Sequence, residues 1–290
     1  MDRDALKKEA NERLADARRQ KNVVERDIRE AYFFFAPQRL RVISSLSAAP
    51  ITPARSEDAA ELQTSLGIEV GGDFATEVAS TLMPQSVEWA QQKAAPDLPE
   101  DEWDAVKEDV EEQTTKIHDA IKASNFYPAV ATTFEGDLPH GTVAMWISDL
   151  RSTEPAVCQP IPARELEINI GPYGTIDDRF IVRATRYRYL PALLTGVELP
   201  KSVVERMKKK PNDRCKVTWG FWRDWTEDRE VVWQAVITVE KEVVDHGRLV
   251  GIRACPIVIG RWSPDPTLAW GVGPRSNAFP NSVASMKPRG

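Results

Sequence analysis

The sequence has 290 residues, 42% hydrophobic and 28% charged, enough apolar surface to bury a core. Acidic residues outnumber basic ones by 44 to 38, a formal net charge of -6, which excludes a general electrostatic grip on nucleic acid through counterion release. No apolar run approaches the roughly 20 residues that cross a bilayer, so no membrane is expected as a partner, and the charged opening MDRDALKKEANERLADARRQK excludes a secretory signal.

Between residues 4 and 35, Leu6, Ala10, Leu14, Ala17, Val24, Ile28 and Ala31 recur at three-to-four spacing among charged residues, predicting one long helix that Pro37 ends. So narrow an apolar stripe suits docking on the rest of its own domain or on another subunit. The following SSLSAAPITPARSEDAAELQTS lacks periodicity and reads as an exposed loop. A second helix is expected over 73–82, with Phe74, Val78 and Leu82 on one face and Asp73 at its N-terminus; Pro84 stops it, and SVEWAQQ carries an anchoring Trp89. Residues 99–125 predict a third helix with Trp103, Val106, Val110, Ile117 and Ile121 on its inner face. His118 beside that face reads as a surface or half-buried imidazole.

After PHGTVAMWI the pattern changes. ELEINI alternates polar and apolar residues, GPYG supplies a turn, and TIDDRFIVRATRYRY continues with β-branched and aromatic residues, predicting a hairpin. A Lys-rich helix follows, then CKVTWGFWRDW, REVVWQAVITVEK and VVDHGRLVGIRACPIVIGRW as a second β-rich block, with turns at Thr226 to Asp228 and at His246-Gly247. The expected fold class is α+β: N-terminal helices through 1–150, an antiparallel β-rich module over 151–274, and a divergent, irregular tail at 275–290.

Chemistry is sparse in the pattern. Cys158, Cys215 and Cys255 lie far apart without C-x-x-C spacing and read as buried thiols. No motif ties together His118, His140 and His246 as a metal or relay site. The Gly271-Val272-Gly273 stretch within RWSPDPTLAWGVGP lacks the Gly-Lys-Ser/Thr of a phosphate loop, and Pro274 removes an amide donor such a loop would use. Its tryptophans, Trp262 and Trp270, read as anchors and its glycines as a bend. The cluster KKKP at Lys208 to Pro211 reads as a solvated helix end. No catalytic, cofactor-binding or metal-ligating residue is assigned, and no cofactor is expected. A ligand platform, for sugar or peptide, built from aromatics of TWGFWRDW and REVVWQA stands as an alternative. Alternation puts Trp219 and Phe221 on one face and Trp222 on the other, which forces no continuous exposed stripe.

Several stretches, taken in order, resemble the portal proteins, or head-to-tail connectors, of short-tailed bacteriophages. They are the N-terminal helix leading into EAYFFFAPQR, then FATEVASTLMPQSVEW, SNFYPAVATTFEGDLPHGT, the hairpin IPARELEINIGPYGTIDDRFIVRATRY, and ACPIVIGRWSPDPTLAWGVGP. The resemblance implies a structural virion protein that catalyses no reaction. It implies a homo-oligomeric ring of about twelve subunits, a dodecamer at one capsid vertex, through which double-stranded DNA is packaged and ejected without sequence-specific binding. Its implied partners are the major capsid protein, tail or adaptor proteins and the packaging terminase, and the residues present correspond to the outer wing. Family members continue after Gly-x-Gly-Pro into stem and clip helices. Here RSNAFPNSVASMKPRG lacks apolar helical spacing, so the stem and clip are expected to be missing.

Overall fold

A computed structural model of the protein describes residues 3–39, 66–93, 99–148, 156–227 and 230–274. The loop expected near 44–65 and the tail at 275–290 lie outside the described residues. Helices come first and antiparallel sheets later, the expected α+β order.

Helix α1 (Arg3–Phe35) runs 33 residues, about 50 Å at 1.5 Å per residue. Its stripe of Leu6, Ala10, Leu14 and Ala17 is buried, and Ile28, Ala31 and Tyr32 continue it. Helix α2 (Leu66–Leu82) begins earlier than its apolar face suggests, so Asp73 stands exposed in mid-helix instead of at the N-terminus. The reason lies in its glycines, which read as non-helical by propensity. A side chain at Gly71 would press on the Phe35 ring, 3.1 Å from a Cβ placed there, and one at Gly67 would meet the Phe34 carbonyl, so these glycines let α2 cross α1 closely.

Helix α3 (Glu100–Ala123) follows Pro99 and half-buries Trp103, Val106, Val110 and Ile121 of its expected inner face. The most buried residues there are polar, and they include His118, in place of the expected surface or half-buried imidazole. Thr114 and His118 are buried while Ile117 is 43% exposed. The cause is the partner: α3 packs against the polar loop before it, where the Gln92 amide donates to Thr114 Oγ1 (3.1 Å) and His118 Nε2 donates to the Ala90 carbonyl (2.8 Å). Trp89 does anchor that loop, edge-on to His118 and stacked on Phe126. Helix α4 (Phe126–Asp137) was not legible as a helix, because Pro128 falls in its first turn, where a missing N–H costs no hydrogen bond.

Among the described residues eight strands follow, interrupted by a single turn α5 (Leu190–Leu193) and by the Lys-rich α6 (Lys201–Lys209). Strands β3 (Leu166–Ile170), β4 (Ile176–Arg186), β5 (Arg214–Asp224), β6 (Val232–Val239) and β7 (Glu242–Val250) form a five-stranded antiparallel meander in chain order. Strands β1 (Thr142–Ser148), β2 (Val157–Pro160) and β8 (Ile257–Arg261) form a second sheet in the order β2-β1-β8. The expected turn at His246-Gly247 is not there: both residues lie inside β7, opposite Val236 and Ala235. The chain instead reverses at Glu240-Lys241, with φ of 51° and 72°. Two non-glycine residues hold this left-handed turn because the Glu240 side chain accepts from the Lys216 amide (2.8 Å), a contact that propensity cannot show.

The layers stack as α1, the five-stranded sheet, the three-stranded sheet, then α2 and α4. Phe180, Trp222, Val236 and Val243 pack under α1. On the opposite face Trp219 and Phe221 meet the ring of Trp146 edge-on, at 5.8 and 5.9 Å, in the main core between the sheets. Ala129 and Val130 of α4 cover Met145 and Cys158 on the outer side of the smaller sheet.

Because Lys241 carries a side chain at positive φ, Lys241→Gly is expected to raise stability by about 0.5–1 kcal/mol in denaturant unfolding, the left-handed penalty less the entropy glycine adds to the unfolded chain.

Candidate functional site

The segment 261–274, which follows β8, is held to the layered body by several specific contacts. Its first residue, Arg261, closes the loop that follows: its guanidinium donates to the carbonyl of Leu268 (2.9 Å) and to that of Gly174 (3.3 Å) in the β3–β4 turn. Asp265 accepts the amide of Thr267 (2.7 Å), a local turn that Pro264 and Pro266 favour. Trp270 then enters the main core at 2% exposure, while Trp262 stays 45% exposed and meets Phe74 of α2 edge-on.

Gly271 and Gly273 lie directly against the 138–142 segment. The Gly271 amide donates to Thr142 Oγ1 (2.8 Å), and the Trp262 amide donates to the Gly141 carbonyl (2.9 Å). A Cβ at Gly271 would collide with the Gly141 carbonyl oxygen, and one at Gly273 with that of Pro139. Neither glycine has a positive φ, so they do not supply the expected bend; their role is to let two backbones touch. With its first amide bonded to Thr142 and its backbone against 139–141, the Gly-x-Gly stretch leaves no cradle for a phosphate.

Beneath this junction lies a buried carboxylate. Asp137, at the end of α4, is fully buried and accepts from the Tyr32 hydroxyl (2.5 Å). The Ala163 amide donates to both oxygens (3.2 Å to Tyr32, 3.4 Å to Asp137), and Arg39 stands 3.8 Å from the second carboxylate oxygen. Because the Thr142 amide donates to His140 Nδ1 (3.3 Å), the proton of that ring sits on Nε2, facing Asp137 at 3.4 Å. Burial first, and the Asp137 charge beside it, push the Tyr32 phenol well above its ordinary range. The donors around Asp137 come from the end of α1 and the turn after it, from His140 and from Ala163, which makes the cluster a joint between them.

A second polar tie comes from α1. Lys21 Nζ donates to the carbonyls of Arg164 (3.1 Å) and Leu166 (2.9 Å), pairs with Glu167 (3.3 Å) and lies 5.9 Å over the Trp270 ring. Burial pulls the Lys21 pKa down against the attraction of Glu167, and burial likewise pushes Glu167 up.

The residues singled out in the sequence do not converge. His118 and His140 are buried in separate places and His246 is exposed on β7. Among the described residues no group of three His, Cys, Asp or Glu side chains could hold a metal ion. The three cysteines are free and buried, with their thiols pushed up by burial, Cys215 to about 11. Of the aromatics in those stretches Trp219, Phe221, Trp222 and Trp233 are buried, on two faces, and Trp225, just past the end of β5, stays 39% exposed, so the strands themselves present no continuous aromatic stripe. Lys208, Lys209 and Lys210 are exposed at the end of α6, as expected. Among the described residues no helix is long and apolar enough to cross a membrane. Sequence reasoning missed Asp137 and Tyr32, whose partners lie 105 residues apart and carry no local motif.

The family model for the bacteriophage head to tail connecting protein matches residues 7–284, and the chain belongs to that family. No curated protein matches it.

Gly271→Ala and Gly273→Ala are each expected to lower stability by about 1–3 kcal/mol, read as a shift in thermal unfolding, because rigid backbone opposes each new methyl. The thiols are expected to resist a thiol reagent in the native protein and all to react once it is unfolded. Raising pH from 9 towards 11 should also erode stability: the native Cys215 thiol stays protonated while the unfolded one ionises, a slope that Cys215→Ala reduces.

Proposed function

We propose that the chain forms the wing of a phage portal: a ring of about twelve copies at one capsid vertex, through which DNA is packaged and later ejected. The observation that carries this reading is the family match across 7–284. Within it, the protein is a virion component made in the host cytoplasm. It binds the major capsid protein, tail or adaptor proteins and the packaging terminase, and it catalyses no reaction.

The charge balance supports the passage of DNA. A formal net charge of -6 keeps a conduit from adhering to the polyanion it must let slide, since each lysine–phosphate contact adds affinity and friction. The junction at 261–274 supports a role in transmitting force, because it is fixed by main-chain contacts to residues 139–141, by the Thr142 hydroxyl at the start of β1 and by a buried tryptophan. The same segment would hold its direction under the strain of packaging.

The test is assembly. Negative-stain microscopy and native mass measurement of the purified protein are expected to show rings of about twelve copies. A particle that stays monomeric across the concentrations measured overturns the reading.

A further inference from the structure

The five-stranded sheet carries surfaces of opposite charge at its two ends. At the end where β4 hands over to β5, α6 rests on the body through Val203 and Met207 and leaves Lys201, Arg206, Lys208, Lys209 and Lys210 exposed. Nearby acids answer only part of this charge: Lys209 lies 3.8 Å from Glu205 and Lys210 3.7 Å from Asp213, both pairs wet and therefore weak.

At the other end a cleft of about 620 Å³ opens between α1 and the β3–β4 turn. Glu9, Glu12 and Asp16 occupy one face of α1 and Asp177 and Asp178 begin β4, while Trp225 forms a wall. Arg13 is shared between Glu9 and Asp178, at 2.9 Å from each. Burial pushes the Asp178 carboxyl up, with the neighbouring Asp177 charge adding to it, against the pull of Arg13. Asp16 pairs with Arg19, and Glu12 lies 4.0 Å from Lys8 at the solvent side. Trp225 is 39% exposed next to the exposed Tyr173, and the Arg223 guanidinium already lies 3.6 Å from its ring centroid, so the ring face accepts a cation.

We infer that the lysine-rich face of α6 in one copy of this chain docks into the Glu12–Asp16–Trp225 cleft of a second copy. The two surfaces cannot meet within one chain. Asp178 and Arg186 mark their positions on the same strand, eight residues apart, roughly 26 Å at about 3.3 Å per residue. A self-complementary pair of unlike surfaces at opposite ends of a rigid sheet makes a heterologous contact, which repeats head to tail and closes into a ring when the rotation allows. Complementary charge here sets partner choice and register more than raw affinity, and suppresses the like-to-like contact that would give a closed dimer. The inference rests on the ring reading above and names the surfaces that build it.

Two variants of the full chain test it: Lys208→Glu/Lys209→Glu/Lys210→Glu, and Glu12→Lys/Asp16→Lys. All five positions are exposed or lie at the cleft mouth, and far-ultraviolet circular dichroism should show both variants folded like the parent. Each alone is expected to raise the concentration for half-assembly at least tenfold at low salt, in mass photometry. An equimolar mixture is expected to recover rings of strictly alternating subunits, since the reversed α6 then faces a reversed cleft and the native α6 a native one. Combining all five changes in one chain should recover rings as well. If the parent chain forms rings and both variants form them equally well, this inference falls while the ring reading stands. If the lysine variant keeps its rings but loses retention of duplex DNA, α6 is a nucleic-acid contact and the inference is overturned. If the parent itself does not assemble, the ring reading falls and this inference with it.

Discussion

A carboxylate with no exposure to water must find donors or forfeit several kcal/mol, and the packing around Asp137 is organised by that demand. Tyr32 comes from the end of α1, Arg39 from the turn that follows it, His140 from the approach to β1 and the Ala163 amide from the approach to β3. Three stretches distant in sequence, 32–39, 137–140 and the turn at Ala163, are thereby set at one point. His140 carries the constraint onward, because its ring lies beside Trp270 and its Nδ1 accepts the amide that opens β1. The helical layers, both sheets and the departing chain thus share a single reference atom group.

The long helix makes that reference useful. About 50 Å of α1 crosses from β7, where Arg3 donates to the Val243 carbonyl (2.6 Å), over Trp222 and Phe180 to β3, where the half-buried Lys21 donates to the Leu166 carbonyl, and on to Tyr32. Its stripe is small where it meets the sheet, Ala10 and Ala17 alternating with Leu6 and Leu14, so helix and sheet approach closely and the aromatic residues fill the gap from the strand side. That arrangement accounts for tryptophans buried on both faces of the sheet.

Much of this was legible in the sequence. The first helix, the β3–β4 hairpin and the α+β order follow from periodicity, and the ordered resemblance to portal proteins pointed to the family. The misses share a cause. Gly71, Thr114, Pro128 and Lys241 each look wrong for the element they occupy, and each is explained by a neighbour remote in the chain or by position within a turn: Phe35 beneath Gly71, the Gln92 amide at Thr114, the first helical turn at Pro128, Glu240 bonded to Lys216 beside Lys241. Periodicity reports burial along an element, and it is silent where a polar loop or a second backbone forms the other side of the contact. The Asp137 joint was invisible for the same reason, since its members are ordinary residues until the fold brings them together.

Gly141, Gly271 and Gly273 bring this logic to the exit of the chain. Main-chain atoms touch main-chain atoms there, so the geometry of the join is written in side chains that are missing. Substitutions at Val272, Thr267 or Leu268 alter what solvent or a neighbour meets, yet leave the path of the backbone to be set by the glycines and by Thr142. The outer surface of this stretch is therefore free to drift towards new binding partners while the direction in which the chain departs is inherited unchanged.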